Sequence, residues 1–197
     1  MKPSFPDLWR SARDLAAAAE VLPGSFERVA VFGGVYSNYL ALDRAVADAE
    51  ARGAEAMFCL GDLGGFGPHP DRVYPILRTH GVRVMQGNYD VSVGTGLEDC
   101  GCGYTDPRDN RFAQISYDYT LAGTSRKNRK WLRALPPAYR FHLGDTAVMT
   151  CHGSPRRTNE LLWESATPDG LLRRFLDVAE ADLLPVSYTH LTLPTII

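Results

Sequence analysis

Three short apolar runs, at 28–32, 56–60 and 82–86, alternate with two stretches of helical periodicity, and that alternation leaves few folds open. Between the first two runs, Asn38 is a good N-cap for a helix over 39–52. Leu40, Leu42, Ala45, Val46 and Ala49 make its buried stripe, and Gly53 stops it. Between the second and third, Pro70 opens a helix through Arg78 that Gly81 closes. Strand, helix, strand, helix, strand at this spacing calls for a parallel sheet with right-handed crossovers. Ligands of such sheets gather at the carboxyl ends of the strands.

The second run ends in Gly61-Asp62-Leu63-Gly64-Gly65-Phe66-Gly67-Pro68, where the glycines let the chain turn sharply after a carboxylate. The third ends in Gly87-Asn88-Tyr89-Asp90. Further on, 139–143, a Gly144-Asp145 turn and 146–151 read as a β-hairpin whose second arm delivers His152, within Cys151-His152-Gly153-Ser154-Pro155. Each residue has a plain reading: Asp62 a turn, Asn88 a cap, His152 a core histidine. Together, carboxylate, amide oxygen and imidazole at three strand ends suit a hard-to-borderline divalent metal.

A helix over 7–19, with Leu8, Trp9, Ala12, Leu15, Ala16 and Ala19 on one face, makes 1–27 an N-terminal helical extension. Periodicity fades over 91–122, which reads as a long loop or lid, and Cys100-Gly101-Cys102 as a surface loop within it. A basic helix over 125–134, a loop carrying Arg156 and Arg157, and an amphipathic helix opened by Thr167-Pro168-Asp169 follow. Ala181-Asp182-Leu183-Leu184 begins another strand. At 197 residues, with 45% hydrophobic and 22% charged residues and net charge −2, the chain has material for one sizeable core and no basic excess for nucleic acid. No apolar run approaches bilayer length, 1–14 carries no apolar signal-peptide core, and four cysteines do not outline a disulfide framework, so a cytoplasmic location is expected.

With these strand ends in place, residues 28–184 resemble the calcineurin-like metallophosphoesterases, particularly their compact bacterial phosphodiesterase-like branch. The resemblance rests on Val31-Phe32-Gly33-Gly34-Val35-Tyr36-Ser37-Asn38, on the segment around Asp62, on Gly87-Asn88-Tyr89-Asp90 and on Cys151-His152-Gly153-Ser154-Pro155. It implies an α/β (α+β) fold, a double β-sandwich flanked by helices over 28–185, and a hydrolase of phosphomonoesters or phosphodiesters. It also marks departures. Gly34 and Tyr36 stand where the family has Asp-x-His, and Tyr89 where it has the histidine facing the leaving group. Gly34 offers no ligand and Tyr36 a poor one, so the resemblance implies one divalent ion (Mn, Zn, Fe or Ni) on Asp62, Asn88 and His152.

Tyr36 and Tyr89 are either packing residues or partners of a phosphate, Tyr89 also as proton donor. Arg156 and Arg157 are either a phosphate clamp or solvated loop residues. The expected ligand is a phosphorylated small molecule or nucleotide; the alternatives are a relative that binds phosphate, nucleotide or a partner without turnover, and a purely structural domain. The family's final Gly-His-x-His is expected after Leu184, where 186–197 resemble instead the in-frame translation of a transposase sequencing adapter. That tail, with Tyr188 and His190 in register with the two histidines, is expected to be foreign and the natural sequence to continue past Leu184 or Pro185.

Overall fold

The computed structural model describes residues 12–187 and 189–190, in which helix α1 (Ala12–Ala18) leads into strand β1 (Glu20–Phe26). This strand corrects the expected all-helical extension; Leu8 and Trp9 of the expected helix lie outside the described residues. The alternating runs then form β2 (Val29–Phe32), α2 (Tyr39–Ala51), β3 (Ala56–Cys59), a 3₁₀ turn (Pro70–Arg72), α3 (Val73–Thr79) and β4 (Arg83–Val84). Asn38 caps α2 as expected, its Oδ1 accepting the Ala41 N–H at 3.1 Å. The three strands pair in parallel in the order β2-β3-β4.

The expected lid is largely helical: α4 (Asn88–Thr95) begins directly after β4, and α5 (Pro107–Gly123) takes most of the remainder. Asp106 caps α5 through the Arg108 N–H at 2.7 Å, with Pro107 in the first turn. Next come α6 (Arg126–Arg133), the hairpin β5 (Ala138–Leu143) and β6 (Thr146–Cys151), a short β7 (Leu162–Trp163), α7 (Asp169–Ala179) and β8 (Thr189–His190). Strand β1 pairs in parallel with β5, so the second sheet runs β1-β5-β6. Bridges from Leu183 to Val148 and Val186 to Cys151 lay the segment after α7 along the free edge of β6, where a strand was expected to start.

Two sheets thus stack with helices outside. Between them lie Ala56, Phe58, Leu60, Met85, Tyr139, Phe141 and Val148. The other face of the parallel sheet is covered by Leu42, Val46, Tyr74, Leu77 and their neighbours, and the outer face of the second sheet by Leu15 and Ala179. All four residues of β3 are buried, as a strand covered on both faces requires. Phe58 stacks on Phe141, ring centroids 4.4 Å apart and planes 9° apart, with Phe26 edge-on to both. Phe58→Ala is therefore expected to cost about 3–5 kcal/mol in urea unfolding. A loss below ~1 kcal/mol would mean the sheets do not depend on this stack.

Candidate metal centre

The carboxyl ends of β3 and β4 and the end of β6 meet at one point. After β3 the chain takes two successive left-handed residues, Gly61 (φ 92°) and Asp62 (φ 55°). This turns the N–H groups of Asp62 and Leu63 toward the Asp90 carboxylate, at 2.8 and 3.0 Å. Asp90 also accepts the Gly87 N–H at 2.9 Å, so one buried side chain ties the loop after β3 to the start of α4. The loops approach so closely that a Cβ on Gly61 would lie 2.5 Å from Gly87 N, and one on Gly87 2.5 Å from Asp62 Oδ1. Burial first, and the neighbouring Asp62 charge second, push the Asp90 pKa up to about 7.

Asp62, Asn88 and His152 are brought together and buried. His152 Nε2 lies 3.3 Å from Asp62 Oδ2 and 3.1 Å from Asn88 Oδ1. The outer atoms are spoken for: Asp62 Oδ1 accepts the Tyr89 N–H at 3.1 Å, Asn88 Nδ2 donates to the Cys100 carbonyl at 2.9 Å, and His152 Nδ1 faces the Leu60 carbonyl. A carbonyl can only accept, so Nδ1 carries the proton, which leaves the Nε2 lone pair of a neutral ring pointing inward. A carboxylate oxygen, an amide oxygen and an imidazole nitrogen then converge with no donor among them. Such a set wants a cation. With metal–ligand bonds of about 2.1 Å, adjacent ligand atoms stand about 3 Å apart, so the observed separations fit a divalent ion. A proton is the competitor: burial lowers the His152 pKa, but the Asp62 carboxylate, the Leu60 carbonyl and Asp90 together outweigh it and the net shift is upward. Among the described residues no group of three or more His, Cys, Asp and Glu gathers, because the third ligand here is an amide.

The remaining site residues fall differently. Tyr89 is buried; its ring packs edge-on to Tyr117 at 5.7 Å and under Gly64 and Gly65, and its hydroxyl reaches Thr120 at 3.4 Å. Burial raises its pKa above the usual phenol value, which favours packing over proton donation. Tyr36 is half-exposed and lies over Gly34, where a Cβ would meet its Cζ at 2.4 Å. A side chain at 34 and this placing of Tyr36 exclude one another, so the two departures from Asp-x-His are coupled. Desolvation, with Asp62 nearby, pushes the Tyr36 pKa up to about 12. Arg156 is forked on Glu160, its Nε at 2.8 Å from Oε2, and its guanidinium lies over Phe175, so its donors are engaged within the protein. Arg157 is exposed beside it.

Cys100 and Cys102 form a disulfide, which corrects the reading of this segment as a plain surface loop. Tyr188 lies outside the described residues, and His190 enters as the backbone partner of Trp163 in the β7–β8 pair. Asp90, quoted in the third strand end but given no role there, is the residue the sequence reading missed. Its signal was a carboxylate three positions after Gly87, half of a capping box.

No protein-family model matches the chain. In sequence it is 27% identical over 163 residues to the uncharacterized protein MJ0912 of the archaeon Methanocaldococcus jannaschii, a match covering 83% of this chain and 62% of that protein. The chain thus spans about three-fifths of the length of this curated relative. Among solved structures it is similar to the hypothetical protein PH1004 of Pyrococcus horikoshii OT3, with TM-score 0.65, 21% identity, and 81% of this chain and 68% of that one covered. It is also similar to a metallophosphoesterase from Sphaerobacter thermophilus, with TM-score 0.59, 20% identity, and 83% and 60% covered. The fold is metallophosphoesterase-like. Sheets flanked by helices, inferred from the strand-end motifs, are what these neighbours share with it.

Proposed function

We infer that the chain is a divalent-metal-dependent phosphoesterase, hydrolysing phosphomonoesters or phosphodiesters with a single ion held by Asp62, Asn88 and His152. The observation that carries this reading is the approach of Asp62 Oδ2 and Asn88 Oδ1 to His152 Nε2, at 3.3 and 3.1 Å, on adjoining strand ends. When bound, a divalent ion supplies positive charge that stabilises a phosphoryl group during displacement by water. The protein's part is to hold the ligands rigid. The Tyr89 N–H orients the Asp62 carboxylate, the Cys100 carbonyl orients the Asn88 amide, and the Leu60 carbonyl fixes the His152 tautomer. Tyr36 and Arg157 are the groups on the substrate side. The ligand is a phosphorylated small molecule or nucleotide; among the described residues no helix is long and apolar enough to cross a membrane.

A second reading, a relative that binds phosphate or nucleotide without turnover, is favoured by the Tyr36 ring over Gly34 and by the burial of the Tyr89 hydroxyl. Metal content and hydrolysis of a generic aryl phosphate separate the two. The enzyme reading expects about one bound divalent ion per chain and turnover above background, retained in Tyr89→Phe because that hydroxyl packs against Thr120. Loss of turnover in Tyr89→Phe would restore its role as proton donor. Bound metal with no hydrolysis would favour the binding module.

A further inference from the structure

Beside the triad lies a cavity of about 780 Å³, bordered by Tyr36, Tyr39, Phe66 and His69. Among the described residues no carboxylate, lysine or arginine lines it. Phe66 is 69% exposed and Tyr36 37%, yet their rings are held edge to face, 5.4 Å between centroids and 68° between planes. Both stand on strained backbone, φ 50° each, a region that bulky residues rarely occupy. Among the described residues, four of the five non-glycine positions with positive φ (Tyr36, Ser37, Asp62 and Phe66) cluster here. Strain of this kind persists where the surroundings over-determine it, and it gathers at functional sites. The Gly67 N–H donates to the Tyr36 carbonyl at 3.1 Å, and the Phe66 N–H to Ser116 Oγ at 2.8 Å, so the two rings are presented from tied loops. Ser37 also lines the cavity; it is buried, and its hydroxyl has no hydrogen-bond partner among the described residues. The cavity adjoins the triad through Tyr36, whose N–H donates to the Asp62 carbonyl at 3.1 Å.

We propose that this cavity is a subsite for a planar aromatic ring carried by the ligand, a nucleobase-type ring stacked on Phe66 and Tyr36. The site then prefers phosphoesters bearing such a ring over aliphatic ones. Uncharged walls with exposed π-faces accept a base where they would not accept a second phosphate, and the unpartnered Ser37 hydroxyl offers a polar contact at the ring or sugar edge. Only the phosphate half of the ligand rests on the phosphoesterase reading.

The test is equilibrium titration of the chain, with Mn²⁺ present, by AMP, ribose 5-phosphate, adenosine and inorganic phosphate. AMP is expected to bind on the order of ten-fold more tightly than ribose 5-phosphate, with adenosine competing against AMP. In Phe66→Ala the AMP-to-ribose 5-phosphate affinity ratio should fall toward one, and in Phe66→Trp it should persist. If Phe66→Ala does not fold, Phe66→Gly, which suits the left-handed backbone, carries the same comparison. Equal binding of AMP and ribose 5-phosphate, or a ratio indifferent to Phe66, overturns the proposal. Adenosine binding that depends on Phe66, with no binding of inorganic phosphate or ribose 5-phosphate, leaves the aromatic subsite standing and removes the phosphoesterase reading instead.

Discussion

His152→Ala is expected to abolish divalent-metal binding and, with it, any phosphoester hydrolysis. The imidazole is the shared vertex of the triad: the close approaches to Asp62 and to Asn88 both run through its Nε2. Without it two ligands remain, fewer than stable sites normally use. Removing a residue that merely orients a ligand typically weakens metal affinity about 10–100-fold, and removing a ligand itself should exceed that. Asp62→Asn makes a cleaner companion. It keeps an oxygen to accept the Tyr89 N–H and nearly the same volume but discards the charge, so metal should be lost with little loss of fold. Elemental analysis and metal titration read the outcome, with urea unfolding as the control. Retention of metal at unchanged affinity in both variants would remove the basis of the site.

Asp90→Ala should be among the most destabilising single changes in the chain, at about 3–5 kcal/mol in urea unfolding. Among the described residues its carboxylate is the one acceptor for three buried backbone donors, those of Asp62, Leu63 and Gly87. Each donor stranded without an acceptor costs about 1–3 kcal/mol, and the methyl that replaces the carboxylate cannot bring water to all three. Against a typical total of about 5–15 kcal/mol, that loss is large. Asp90→Asn retains one acceptor oxygen and should fall between alanine and the native residue. A loss under ~1 kcal/mol for alanine would show that the loops are held by other means.

How legible all this was from sequence depends on what each segment buries. The parallel sheet and the β5–β6 hairpin were readable because their apolar runs are buried on fixed faces and end at glycine turns. Strand β1 was hidden by Pro23-Gly24 in its middle, a pair that reads as a turn; in the structure the β1–β5 register shifts between Val21 and Ser25. Helix α5 escaped because its apolar residues point the wrong way for a periodicity search: Phe112, Ile115 and Tyr119 are exposed, while Tyr117 and Thr120 face inward. Its Asp106-Pro107 start is a helix-start signal lying inside the stretch whose fading periodicity reads as a loop. Three strand-end residues could be brought together from motif order alone. That Tyr89 turns its hydroxyl to Thr120, and that Tyr36 lies over Gly34, depends on side-chain directions that spacing does not encode.

The pairing of β1 with β5 also sets an order of assembly. Ser25 and Gly144 are joined across 119 residues, whereas the strands of the parallel sheet follow one another with a single helix between neighbours. Nearby partners meet quickly, and distant ones must first close a long loop of chain. During synthesis the parallel sheet and its helices can therefore settle first, carrying Asp62 and Asn88. The histidine arrives last, when the hairpin docks and captures a strand synthesised well before it.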